Sequence, residues 1–295
     1  MPFAAAIRRS VVQVSAVAGL GLLFTAASLQ GALAQTPPQA PRNPVASECL
    51  AMAQRLPNAR YASLDTPQFL PVAAKPAVTI SYAGHSTYVI DTPGGVRIAT
   101  DYSGHYHVPG KLPDVATMNR AHSTHYTLNP DPRIRHVLHG WADNGPAKHN
   151  LTVDDVLIRN VTTDIRGFVS RDAGIAVQAD GNSIFIFEVA GLCIGHLGHL
   201  HHRLEDVHIA EMGRVDILMV PIDGGLTMSL DGMGEIVRKL RSSVVLPMHR
   251  FGTPIESFME RMKGQFAIDR RFQRSLSISL DTLPKEPTII ILDGV

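Results

Sequence analysis

The chain has 295 residues, of which 45% are hydrophobic and 18% charged, and its formal net charge is +1. That length supports one large domain or two small ones, and the apolar content excludes a disordered chain. A near-neutral balance lacks the basic surface that phosphate backbones require, so no nucleic-acid partner is expected.

Arg8 and Arg9 precede a run, Val11 to Leu29, that is nearly all apolar or small. Ala32-Leu33-Ala34 then has the small-x-small pattern of a cleavage site. Residues 1–34 therefore read as an export signal, and the mature chain starts near Gln35. This predicts a periplasmic or secreted protein with no stable membrane span after cleavage. The other reading is a retained anchor, because the apolar run is just long enough to cross a bilayer. Arg8-Arg9-Ser10-Val11-Val12 also permits a twin-arginine route. Removing the leader takes away only those two charges, so the balance stays near zero. The two cysteines, Cys49 and Cys193, either pair in an oxidising compartment or stay as separate thiols, and a bridge would staple a short helix near Ser47 to Arg55 onto the domain.

Residues 35–76 are a Pro-rich linker followed by an irregular lead-in, and regular structure is expected over 77–295. Strands are predicted at Ala77–Ala83, Thr87–Asp91 and Val96–Thr100, with Thr92-Pro93-Gly94-Gly95 as a turn. Asp114–Met118, His136–His139, Val153–Ile158, Ile175–Gln178 and Ser183–Phe187 continue the β pattern, and Asp180-Gly181-Asn182 reads as a hairpin turn. Gly191–Gly195, Val215–Val220, Val244–Leu246 and Thr288–Leu292 are further strands. Helices are predicted at Leu204–Met212, at Asp231–Leu240 with Asp231 as N-cap, and at Pro254–Met262. A β meander followed by alternating strand and helix implies an α+β chain, two packed sheets with helices outside.

Fourteen histidines fall mostly in a few clusters. His122 and His125, in Asn119-Arg120-Ala121-His122-Ser123-Thr124-His125, follow a strand on a predicted loop. There two imidazoles three residues apart can converge on one ion. Gly195-His196-Leu197-Gly198-His199-Leu200-His201-His202 holds four histidines, too many for packing alone, with glycines that let the backbone turn tightly. His249 ends the strand Leu246-Pro247-Met248. Ligands at three separate strand ends are how a fold assembles a site from remote sequence.

These segments resemble the metallo-β-lactamase fold, in particular the branch that contains the ascorbate-phosphate lactonase and the N-acyl-phosphatidylethanolamine phospholipase. The resemblance rests on Ile80-Ser81-Tyr82-Ala83-Gly84-His85-Ser86-Thr87, Pro93-Gly94-Gly95, Thr100-Asp101, Ile194 to Leu200, Val215 to Pro221, and Leu246-Pro247-Met248-His249. It implies a four-layer αββα sandwich. The family pattern H-x-H-x-D-H is represented here by Arg120, His122, Thr124 and His125, so its first histidine and its aspartate are missing. His199 stands where the family carries a bridging aspartate. The metal ligands implied are His122, His125, His199 and His249. His85, Asp101, Asp164 (the neighbourhood of the absent middle histidine) and His196 are candidates for additional or supporting roles. His105 and His107 lie on a loop within possible reach of the metal, and His139 reads as a packing residue.

Loss of both carboxylates removes the anions that hold two dications close, so one divalent transition metal is expected. Zinc is the default, and iron, copper or nickel also suit imidazole. The resemblance implies a hydrolase in which metal-activated water attacks an ester, lactone, amide or phosphodiester bond of a small-molecule or lipid-like substrate. Arg120 would stabilise an oxyanion, and Asp223 would serve as a proton shuttle or merely as a turn residue. The alternative is a catalytically decayed, periplasmic metal- or ligand-binding module whose closed site leaves no position for water.

Overall fold

The computed structural model describes residues 46–50, 76–170 and 174–295. The leader, nearly all of the linker and lead-in, and the part of the Ser47–Arg55 helix beyond residue 50 lie outside the described residues. Residues 48–50 form a turn.

In chain order the elements are β1 (Val78–Gly84), β2 (Thr87–Asp91), β3 (Arg97–Ala99), β4 (Val115–Met118), β5 (His136–His139), β6 (Asn150–Val153), β7 (Val156–Ser170), β8 (Gly174–Val189) and β9 (Leu192–His196). Next come α1 (Asp206–Met212), β10 (Ile217–Pro221), α2 (Leu230–Leu240), β11 (Val244–Met248), α3 (Ile255–Met262), β12 (Ala267–Arg270), β13 (Ser275–Ile278) and β14 (Thr288–Ile291). The strands form two sheets, ordered β13-β1-β2-β3-β4-β5 and β12-β14-β11-β10-β9-β8-β7-β6.

The main core lies between the sheets. On β10, Ile217 and Met219 point into it while Leu218 and Val220 join the helix-side core; on β11, Val244, Leu246 and Met248 face inward and Val245 outward. Both faces are buried, which is why these strands read as unbroken apolar runs. Each such side chain contributes roughly 1.5–3 kcal/mol of burial free energy. Helix residues Met212, Met233, Val237, Phe258 and Met262 complete the second core. Among the described residues all three α-helices cover this sheet. The outer face of the other sheet is closed by loop and turn side chains, Tyr102 and Ile134 packing on Ala99, Ala116 and Met118.

Strands β9, β10, β11, β14 and β12 are parallel neighbours, with α1 between β9 and β10, α2 between β10 and β11, and α3 between β11 and β12. The carboxyl ends of β9, β10 and β11 therefore lie side by side, the usual place for a ligand site in α/β layers. In the other sheet β3, β4 and β5 are also parallel, so the chain leaves β3 and β4 at one common edge.

Several local expectations are corrected. Asp180-Gly181-Asn182 is not a hairpin turn but lies within β8, one partner of a long antiparallel ribbon. The register slips there, from Thr163 opposite Asn182 to Ile165 opposite Gln178, and the extra β8 residues form a bulge, the other structure that an Asp-Gly pair favours. The single strand expected at Val153–Ile158 is split: Asp154-Asp155 forms a two-residue turn between β6 and β7. Ser229 caps α2 by accepting from Gly232 N–H at 3.2 Å, while Asp231 pairs with Arg261. Strands β6, β12 and β13 were not expected; β13 pairs along the edge of β1.

Cys49 and Cys193 form a disulfide with Cα atoms 5.9 Å apart, which decides between the two readings of the cysteines. The bridge ties residues 47–50 to β9. Glu188 reinforces it by accepting hydrogen bonds from Ser47 Oγ (2.6 Å), Cys49 N–H (3.2 Å) and Arg159 Nε (2.7 Å). Burial alone would raise the Glu188 pKa, but the donors of Ser47, Arg159 and Cys49 hold it below the ordinary glutamate value.

Candidate metal centre

Five histidine rings meet where strand ends from both sheets converge. His85 lies in the tight connection between β1 and β2, where β1 carries a bulge and Gly84 takes a φ of 117°. His122 and His125 follow β4, His199 follows β9 and His249 follows β11. The two sheets are pinned together at this point. His249 N–H donates to His85 O at 2.7 Å, and Tyr88 Oη–H donates to Pro247 O at 2.8 Å.

His85, His122, His125 and His249 offer ligand atoms that all lie within 4.8 Å of one another. This set includes His85, a candidate for an additional or supporting role, in place of His199. His199 nevertheless packs on the cluster: its Nε2 is 3.1 Å from His122 Nε2, and its ring lies 4.7 Å from that of His125 and 4.8 Å from that of His249.

The hydrogen bonds assign the ring faces. His125 Nδ1 is 2.5 Å from Asp101 Oδ2, and His249 Nδ1 is 2.9 Å from Asp223 Oδ2. In each pair the imidazole donates through Nδ1–H, which leaves an Nε2 lone pair. His122 Nδ1 lies 2.8 Å from Thr124 Oγ1, which turns Nε2 the same way. The Nε2 atoms of His85, His125 and His249 are buried without a hydrogen-bond partner. Buried polar atoms are otherwise almost always satisfied, so three unpartnered ring nitrogens facing one point fit a cation. The donor set is imidazole only, and neutral nitrogen donors suit a divalent transition metal.

The electrostatics disfavour protonation of His85, His122 and His199. Burial first, and then the neighbouring His249, His125 and His122, lower the His85 pKa to about 3. Burial, with His125 and His249 beside it, lowers that of His122 to about 4. His199 is pushed down more strongly, by burial first and then by the other rings. Backbone strain gathers here as well: the non-glycine residues His85, Asp101, His249 and Phe251 have φ of 51°, 43°, 50° and 45°. Such conformations cost on the order of 1–3 kcal/mol each and concentrate at functional sites.

The remaining expected residues divide clearly. Asp101 is fully buried, follows β3, and accepts from Asn119 Nδ2 at 2.8 Å as well as from His125. Asp223 follows β10 and accepts from Gly225 N–H and Thr227 N–H (both 2.9 Å), Thr227 Oγ1 (2.5 Å) and His249. Burial would raise its pKa, but the donors of His249, Thr227 and Gly225 outweigh burial and hold it far below the carboxylate range. All of these donors, His249 Nδ1–H included, converge on the one carboxylate. His196 is satisfied on both nitrogens, Nε2–H donating to Ser86 O (2.8 Å) and Nδ1 accepting from Gly198 N–H (3.1 Å), so it is a structural residue. Asp164 stands apart from the cluster on the β7–β8 bulge, where Oδ1 accepts from Asp180 N–H at 3.0 Å. Arg120 is exposed, and its backbone N–H donates weakly to Gly181 O. His105 and His107 are exposed on their loop, and His139 stacks on Trp141 at 4.6 Å.

Sequence reasoning missed Asn119 and Asn182 as supports of the centre. Asn119 Oδ1 accepts from Ser183 N–H at 2.7 Å, and Asn182 Oδ1 from His199 N–H at 2.8 Å. Gly198 has a φ of 62°, and a Cβ there would lie 2.4 Å from both amides. The glycine beside the histidines was the one visible signal.

Residues 79–249 match the family model for the beta-lactamase superfamily domain. The chain belongs to that superfamily. It is 25% identical over 214 residues to a UPF0173 metal-dependent hydrolase from Anaeromyxobacter dehalogenans, covering 62% of this chain and 78% of that protein. It also aligns with a crystal structure from Thermotoga maritima, proposed to be a Zn-dependent hydrolase of the metallo-beta-lactamase superfamily. That match has 25% identity and a TM-score of 0.52 and covers 73% of this chain and 98% of the other. In class the chain is a metal-dependent hydrolase.

Proposed function

We propose that the chain is an exported hydrolase using one divalent transition metal ion, zinc by default, to activate water against an ester, lactone, amide or phosphodiester bond. The carrying observation is the convergence of unpartnered, buried Nε2 atoms from His85, His125 and His249 beside His122. His122, His125 and His249 would hold the ion together with His85, with the His199 ring packed beside them. Among the described residues no carboxylate joins the convergent ligand atoms to hold a second dication close, which favours a single ion. When bound, such an ion supplies Lewis acidity and lowers the pKa of water toward neutrality. The chain itself supplies orientation: Asp101 and Asp223 hold His125 and His249 in the tautomer that points Nε2 inward. The Cys49–Cys193 bridge supports export, because disulfides persist in oxidising compartments.

Elemental mass spectrometry on untagged protein, beside His125→Ala and His249→Ala, tests the site; a screen of the four bond classes tests the chemistry. We expect one ion per chain, lost in both variants, and turnover in at least one class. No ion after reconstitution would overturn the metal centre. A metal-replete protein inert in every class would leave only the closed binding module. Fusion of residues 1–40 to an export-dependent reporter tests localisation, and a signal confined to the cytoplasm would refute it.

A further inference from the structure

Beside the histidine centre lies a pocket of about 480 Å³ whose walls include His122, His199, Arg166, Gly225, Leu226 and Phe251. Two of these walls are large apolar side chains left in solvent: Phe251 is 73% exposed and Leu226 48% exposed. A scattered exposed apolar residue is ordinary, but this pair stands on backbone that is held in place. Phe251 comes two residues after His249 with a φ of 45°, a conformation that a bulky side chain rarely adopts. Leu226 sits on a loop braced from two directions. Arg166 Nη2 donates to Gly225 O, Leu226 O and Thr227 O at 2.8, 2.8 and 2.5 Å. From the other direction the Asp223 carboxylate accepts from Gly225 N–H and Thr227 N–H. The loop is thereby kept from folding Leu226 inward to bury it. The same Asp223 orients His249, so one braced unit sets both a ring of the centre and the apolar wall beside it. No carboxylate lines the pocket among the described residues.

We propose that this pocket receives an apolar acyl or aryl arm attached to the scissile bond, and that Leu226 and Phe251 are the residues that select for it. The choice of bond rests on the hydrolase reading above; binding of the arm does not. Pockets of this size with apolar walls and a few polar groups at one end bind amphipathic small molecules, with the polar end fixed and the arm desolvated. The head would face His122 and His199 and the arm would lie over Leu226 and Phe251, beside an Arg166 guanidinium that already donates to Gly225 O, Leu226 O and Thr227 O.

The test separates the arm from the chemistry. Acetohydroxamate and octanohydroxamate present the same chelating head with a short and a long arm, and calorimetry on the zinc-loaded, full-length mature protein reads binding without turnover. Wild type should bind the longer probe roughly tenfold more tightly or better, from burial of its methylenes. The ratio should fall toward one in Leu226→Ser/Phe251→Ser and persist in Leu226→Met/Phe251→Leu, with metal content of each variant reporting intact folding. A ratio near one in wild type, or one unchanged in the serine variant, overturns the proposal, as does failure of both probes to bind zinc-loaded protein. A matched pair of acetate and octanoate esters then tells the two readings apart. Arm-dependent binding with no ester cleaved would remove the hydrolase reading and leave the pocket assignment standing. Cleavage indifferent to arm length, with a binding ratio near one, would do the reverse.

Discussion

Replacing Asp101 by asparagine changes one atom of a buried carboxylate, and the two donors that face it make the substitution costly in either orientation. These donors are His125 Nδ1–H on Oδ2 and Asn119 Nδ2–H on Oδ1. An asparagine offers one acceptor and one donating amide. If the amide faces Asn119, two donors collide at a fully buried position. If it faces His125, Nδ1 must become the acceptor, the proton moves to Nε2, and the lone pair directed at the metal is lost. Removal of such a supporting partner typically costs about 10–100-fold in metal affinity, which corresponds to about 1.4–2.8 kcal/mol. The unsatisfied buried donor adds roughly 1–3 kcal/mol of lost fold stability. Zinc affinity measured by competition with a chromophoric chelator, alongside denaturant midpoints of the metal-free forms, reads the two effects separately. An Asp101→Asn protein that binds zinc within threefold of wild type would refute the tautomer argument, and with it the assignment of His125 Nε2 as a ligand.

Three further outcomes are expected. His85 and His122 titrate near 3 and 4 in the folded metal-free protein, below the ordinary histidine value of 6.5, so the unfolded chain binds more protons across that gap. Metal-free stability should therefore be level above about pH 6.5 and fall as the pH drops from there toward 4, as urea midpoints at a series of pH values would show; a midpoint that rises on acidification has the wrong sign. Reduction of Cys49–Cys193, or its replacement by Cys49→Ser/Cys193→Ser, should cost about 2–5 kcal/mol because the bridge closes a long loop. Guanidinium midpoints with and without reductant measure it, and an unshifted midpoint would mean that the bridge constrains nothing. Gly198→Ala places a side chain at a φ of 62° and against Asn119 and Asn182, so it should cost roughly 1–3 kcal/mol and lower zinc occupancy, measured by elemental analysis; full occupancy at wild-type stability would contradict the crowding.

Much of the fold is legible along the chain because its strands are buried on both faces and its turns carry glycine, aspartate and proline. His122, His125, His199 and His249 could be singled out for a similar reason: each follows an apolar run, and histidines at several strand ends are hard to explain by packing. Pairings that depend on distant partners are not legible in this way. Asp180-Gly181 has the composition of a hairpin turn, and only the register of β8 against β7 makes it a bulge.

Residue types along the chain were enough to mark the centre as rich in imidazole, because histidines follow several apolar strands, but they left Asp101 and Asp164 open as further ligands. Tertiary structure alone decided which rings converge and what holds them. His85 enters the ligand set because the β1–β2 connection is hydrogen-bonded to the end of β11, a contact with no local signal. Asp223 became the partner of His249, and Asp164 was set apart, because the carboxyl ends of parallel strands gather at one edge while the β7–β8 bulge lies apart from it. Residue type is a local property of the chain, whereas the position of a lone pair depends on the register, crossovers and cross-sheet bonds of the whole fold.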